Sequence, residues 1–161
     1  MKKLARFAAL LLTAVMALTM LAGCSGEFQT NPEAEEAVIK YVNDNYETQD
    51  VPLTNNAAMR QQAAQVLAKA TEDGKISKKD VAFKYEYTGS ASKIEVRVAC
   101  ANETPDADGM FTLKPYTGSN VEDLVDSVMG FDLEYITVFG VSTRVINGKT
   151  YVAVAYTAYE L

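Results

Sequence analysis

Residues 136–146 read ITVFGVSTRVI and residues 149–159 read KTYVAVAYTAY, two β-rich runs divided by Asn147-Gly148. Asn-Gly is the pair favoured in a two-residue type I′ turn, because both central positions need positive φ. The runs therefore predict one long hairpin. Both faces carry apolar side chains: Val152, Val154 and Tyr156 alternate with Tyr151, Ala153 and Ala155. Strands apolar on both sides belong in the interior of a covered sheet, which predicts that both strands are central and that helices lie above and below them.

The helices to cover it lie upstream. Asn31-Pro32-Glu33 reads as an N-cap, a first-turn proline and an acid that compensates the helix dipole. Ala34, Val38, Tyr41, Val42 and Tyr46 follow at helical spacing. After a connector containing Pro52, Thr54 or Asn55 can cap a second helix, with an apolar face of Met59, Ala63, Val66, Leu67 and Ala70 and a stop at Gly74. Phe83 to Tyr87 and Ile94 to Cys100 alternate as an antiparallel pair. Thr104 to Gly109 is a loop and Met110 to Lys114 a short strand. A third helix, capped by Asn120, runs from Val121 to Met129 and ends at Gly130. The pattern is α/β (α+β), with a mainly antiparallel sheet.

At the other end of the chain, Lys2, Lys3 and Arg6 precede an apolar run from Phe7 to Met20, closed by Leu21-Ala22-Gly23-Cys24. The run is short of the roughly 20 apolar residues a membrane span needs, and a small-residue cleavage site follows it directly. The segment resembles a bacterial lipoprotein signal. That resemblance implies removal of residues 1–23, lipid attachment (diacylglycerol, often with a further fatty acyl chain such as palmitate) at Cys24, and a position on the extracytoplasmic side of the cell membrane. Residues 24–31 would form a lipidated tether and residues 32–161 a single globular domain.

Composition narrows the partners. The chain holds 15 basic and 21 acidic residues, and the first 23 positions contain three of the basic and none of the acidic ones, so 12 oppose 21 after cleavage. Such an excess of negative charge argues against nucleic acid, which needs clustered Lys and Arg. Cys100 is the only cysteine besides Cys24. It sits in an apolar alternation and reads as a buried, inert thiol.

Chemistry-bearing motifs are sparse. The chain contains no histidine, the usual general base near neutral pH and the commonest metal ligand. Ser90-Ala91-Ser92-Lys93 matches S-x-x-K in form, but no S-D-N or K-T-G accompanies it. Gly148-Lys149-Thr150 resembles the end of a phosphate loop, yet Thr143 stands where the first glycine belongs, and a hairpin turn explains it. Glu103, Asp106, Asp108 and Gly109 lack the spacing of a calcium loop and read as a solvated turn. Glu122, Asp123 and Asp126 read as first-turn acids of the third helix. Tyr85, Tyr87, Tyr116, Tyr151, Tyr156 and Tyr159 read mainly as packing residues with one wet end.

The order of elements is similar to the CAP superfamily of cysteine-rich secretory, antigen 5 and pathogenesis-related proteins. The match rests on Val38-Ile39-Lys40-Tyr41-Val42-Asn43, then Pro52-Leu53-Thr54, then Met59 to Ala70, with Val121 to Met129, Val138 to Val145 and Thr150 to Tyr159 as the last third. The resemblance implies a three-layer α-β-α sandwich. It also implies a cleft where the family carries two histidines and two acids, but here Gly130-Phe131 replaces the helix-end Gly-His, and the later histidine falls at Thr137 or Val138. No metal, cofactor or catalytic residue is carried over, and no ligand-binding residue is named. The chain is accordingly read as a lipid-anchored binding protein of the cell envelope, whose ligand is an envelope protein, a glycan or an apolar molecule. The alternatives are a carboxylate-based hydrolase of the same fold and a small α+β envelope adaptor or inhibitor.

Overall fold

The computed structural model describes residues 28–46, 52–81, 86–87, 92–129 and 135–159. The helices are α1 (Pro32–Asn45), α2 (Ala57–Leu67) and α3 (Val121–Met129). The strands are β1 (Lys75–Ser77), β2 (Glu86–Tyr87), β3 (Ser92–Val98), β4 (Met110–Thr112), β5 (Pro115–Tyr116), β6 (Tyr135–Ile146) and β7 (Lys149–Tyr159). The fold is α+β with antiparallel sheets. Phe83 and Tyr85 of the expected middle strand lie outside the described residues.

The hairpin forms as its turn residues require: Asn147 has φ 50° and Gly148 φ 75°, and β6 pairs with β7 from Ile146↔Lys149 to Tyr135↔Tyr159. On its other edge β7 pairs with β3 from Val98↔Ala153 to Ser92↔Tyr159, and with β5 at Thr150 and Tyr151. β2 adds to the outer side of β3. Among the described residues β7 is thus central and β6 lies at the rim of the sheet, which corrects the expectation that both hairpin strands are central. Burial on two faces does not require neighbours on two edges.

Both faces of β7 are buried, but against different elements. Val152, Val154 and Tyr156 join Val38 and Val42 of α1, four side chains of α3, and Phe139 and Val141 of β6 in one core cluster. Tyr151, Ala153 and Ala155 join Ala63 and Leu67 of α2, together with Val96, Val98, Ile76 and Leu113, in a second. Residues Ile76 and Leu113 come from or beside a small sheet that sequence periodicity did not resolve, in which β1 pairs with β4 from Lys75↔Thr112 to Ser77↔Met110.

Small residues decide how closely α2 approaches. Gly140 pairs with Ala155, and a Cβ at Gly140 would run into the Arg60 backbone nitrogen and, at 2.5 Å, the Met59 Cβ. The α2 cap also differs from expectation. Asn56 is the N-cap, accepting from the Ala58 and Met59 amides at 3.0 and 3.2 Å, because Asn55 is engaged elsewhere. The helix ends at Leu67, before Gly74 is reached. For α3, the Asn120 carbonyl accepts from the Leu124 amide, but its side chain bonds backward, to the Thr117 N–H and the Pro115 carbonyl.

Since backbone, not a mobile side chain end, blocks a Cβ at position 140, Gly140→Ala should destabilise the domain by about 1–3 kcal/mol. Urea denaturation of the soluble domain measures it, and a midpoint equal to wild type would contradict the close packing of α2 on β6.

Candidate functional site

Two polar clusters enter the interior. The first lies along the outer edge of β6, where an edge strand leaves backbone groups in need of partners. Phe139, Val141, Thr143 and Val145, at alternate positions, all find them. The Asn56 amide donates to the Phe139 carbonyl at 2.9 Å, and the Val145 amide donates to the Gln29 carbonyl at 2.8 Å. The Asn55 side chain imitates a neighbouring strand: its Oδ1 accepts from the Val141 amide at 2.9 Å and its Nδ2 donates to the Val141 carbonyl at 3.0 Å. The Thr143 amide donates to Glu35 Oε1 at 3.1 Å.

Glu35 is the centre of this cluster, only 6% exposed. Besides the Thr143 amide, its carboxylate receives Arg60 Nε and Nη2 at 3.0 and 3.2 Å and Asn55 Nδ2 at 3.3 Å. The Thr143 hydroxyl stands 3.0 Å from Oε1 and 3.3 Å from the Asn31 carbonyl, and accepts from the Asn31 amide at 2.7 Å. Arg60 comes from α2 and Glu35 from α1, helices that serve opposite core clusters. The bidentate pair therefore passes around the rim of β6 and ties the two helical covers together. None of this cluster was singled out as a site from sequence. A signal existed: Glu35 shares a stripe with Val38 and Val42, and Arg60 shares one with Ala64 and Leu67, so each is a lone charge on a buried helix face and requires a partner.

The second cluster lies on the sheet beside the end of α3. Glu95 and Arg97 alternate with the buried Val96 and Val98 and so project onto the α3 side of β3. The fully buried Tyr156 donates its hydroxyl to Glu95 Oε2 at 2.7 Å and stands 3.4 Å from the Met129 carbonyl. Arg97 Nη2 lies 2.6 Å from the same carboxylate oxygen. The Glu95 and Arg97 side chains keep 15% and 28% exposure. Of the positions matched to the resemblance's histidines, Gly130 and Phe131 lie outside the described residues. Thr137 is the extra residue of a β-bulge between Ile136 and Val138, and its hydroxyl bonds that of Thr157 at 2.6 Å.

Three of the remaining acidic candidates, Asp106, Asp123 and Asp126, have partners within the fold. Asp106 closes its turn by accepting from the Asp108 and Met110 amides at 3.0 and 2.9 Å and from Lys75 Nζ at 3.1 Å. The Met110 amide and the lysine hold its carboxyl below the usual range. Asp123 pairs with Lys114 at 2.5 Å. Asp126 accepts from the Tyr46 hydroxyl at 2.9 Å, and burial together with this carboxylate pushes the Tyr46 phenol above its ordinary range. Lys93 lies in β3, not at a helix start, and Ser90 and Ala91 lie outside the described residues, as do residues 1–23 and Cys24. Among the described residues no group of three or more His, Cys, Asp or Glu could hold a metal ion, and no helix is long and apolar enough to cross a membrane.

No family model matches the chain, and neither a curated protein nor a solved structure matches it.

Removing the Glu35 carboxylate leaves Arg60 and the Thr143 amide without their partner, so Glu35→Ala should cost about 3 kcal/mol in urea denaturation. Arg60→Met should also destabilise, and the double variant should lose less than the sum of the two. Freed of its cover, the β6 edge in Glu35→Ala should self-associate with rising concentration, read by sedimentation velocity. Burial also pushes the Cys100 thiol up to about 11. At pH 8 the folded domain should react with iodoacetamide on the order of a hundredfold more slowly than the urea-unfolded chain.

Proposed function

We propose that this chain is a lipid-anchored binding protein of the bacterial cell envelope, held on the extracytoplasmic face of the membrane through Cys24 and built as a degenerate CAP-like three-layer sandwich. The sequence of residues 1–24 supports the anchor. Helices on both faces of β7 support the layering.

The observation that carries the non-catalytic reading is the treatment of the two interior carboxylates. In a chain without histidine, acid-base chemistry would fall to groups such as Glu35 and Glu95. Glu35 is enclosed by donors from α1, α2 and β6, and Glu95 is gripped by Arg97 and Tyr156. Both act as anchors within the fold. The sheet surface at Arg97 and Glu95, a partly exposed guanidinium and carboxylate, suits a ligand recognised by hydrogen bonds, such as a wall glycan or a polar segment of an envelope protein. The same partly exposed Glu95 is what favours the second reading, a carboxylate-based hydrolase.

Cells expressing the full chain should yield a protein that partitions into detergent, and Cys24→Ser should leave an uncleaved or released form. A Cys24→Ser protein that is still processed and still partitions with detergent would defeat the anchor. Incubated with purified cell wall, the soluble domain should release no soluble fragments. Release that Glu95→Gln abolishes would put the hydrolase first.

A further inference from the structure

We propose that the hairpin-turn end of the domain, formed by Asn147-Gly148 and the loop Thr71–Gly74, is the face held against the lipid surface, with the Glu95–Arg97–Tyr156 cluster directed away from it. This orientation rests on the anchoring of Cys24 proposed above and adds to it which way the domain stands.

The first observation is how the chain enters the fold. Residues 28–31, the end of the lipidated tether expected over residues 24–31, are bound to β6. The Gln29 carbonyl meets the Val145 amide at 2.8 Å, and the Asn31 amide meets the Thr143 hydroxyl at 2.7 Å. Position 29 lies beside 145 and position 31 beside 143, so this segment runs antiparallel to β6. Followed backward, it heads past Ile146 toward the turn. Asn31 Nδ2 adds a bond to the Thr150 hydroxyl at 3.0 Å, on the first residues of β7.

The second observation is that the entering chain is tied to several elements at once. Phe28 lies under the Arg144 guanidinium, 5.3 Å from carbon to ring centroid. Arg144 in turn donates through Nη1 to the Leu67 and Ala70 carbonyls at 2.9 and 2.7 Å, closing the C-terminal end of α2. The exit point of the chain is thereby fixed to a helix end, a sheet edge and a hairpin at once.

The third is covalent length. Four peptide units separate Cys24 from Phe28, which span at most about 14 Å. Along β7 the eleven residues from Lys149 to Tyr159 rise about 33 Å from first to last, and Ser92 pairs with Tyr159. A lipid at Cys24 therefore reaches from the turn end far more readily than it could bring the Ser92 end to the headgroups. Tyr156 and Glu95 lie toward that distal end. The turn-end loops and their flanks carry Glu72 and Asp73 with Lys75 and Lys149, and Asp106 pairs with Lys75, so no excess of positive charge draws this face to the membrane and the acyl chains hold it down.

The test uses the full lipidated chain, purified in detergent with Cys100→Ser and reconstituted into phosphatidylcholine vesicles containing a headgroup nitroxide lipid. A bimane label is placed at Lys149→Cys or at Ser92→Cys in variants that melt like the Cys100→Ser parent. The label at 149 should be quenched several-fold more strongly than that at 92, equally with and without anionic lipid. Equal or reversed quenching of a chain whose mass includes the diacylglyceryl group overturns the orientation alone. A mass showing Cys24 without acyl chains overturns the anchoring and the orientation together.

Discussion

The rim of β6 is the constraint on which this fold depends. A twelve-residue strand that, among the described residues, pairs with another strand on one side only would expose a long row of amides and carbonyls, a template for another chain. The protein closes it with three different segments: the entering chain at Gln29, the carboxylate of Glu35 from α1, and the connector at Asn55 and Asn56. Because Arg60 of α2 completes the arrangement through Glu35, one ion pair satisfies an edge strand and joins the covers of both faces. A buried pair of this kind is poor in net stabilisation compared with well-packed apolar groups, but costly to break. Its worth here lies in setting where two helices meet one strand.

The core follows from β7. Every residue from Thr150 to Thr157 is buried, and its two rows of side chains differ in size. On the α1 and α3 side Val152, Val154 and Tyr156 fill space. On the α2 side Ala153 and Ala155, with Gly140 across the pair, leave room for the alanine-rich helix to sit close. The sheet is thus thick on one face and thin on the other, and α2 brings Arg60 near enough to reach the rim.

Much of this was legible from local signals. Asn31 and Pro32 start α1 where their chemistry places them, α3 spans the apolar stripe from Val121 to Met129, and Asn147-Gly148 turns the hairpin. What failed was reading pairing from burial. β6 looks central because both its faces are apolar, but its second edge is met by side chains and loop backbone. β1 and β5 escaped notice because strands of two or three residues carry no periodicity of their own and exist through distant partners, Met110–Thr112 for one and Thr150–Tyr151 for the other. Asn55 looked like a cap because it lies at the right spacing, and it was drawn away by Val141, 86 residues along the chain.

Of the interior polar groups, the sequence held half the statement. A lone acid on the buried stripe of one helix and a lone arginine on that of another announce that each needs a partner, since an unpaired charge cannot remain buried. Helical spacing, turn chemistry and alternation act over a few residues, so the chain by itself determined the helices, the hairpin, the small residues of one sheet face and the absence of histidine. Which charges meet, which strand forms the rim and where the chain enters depend on contacts between segments dozens of residues apart. Only the tertiary structure decided these, because the free energy of burying a charge or leaving an amide unpaired is settled by whatever the folded chain brings beside it.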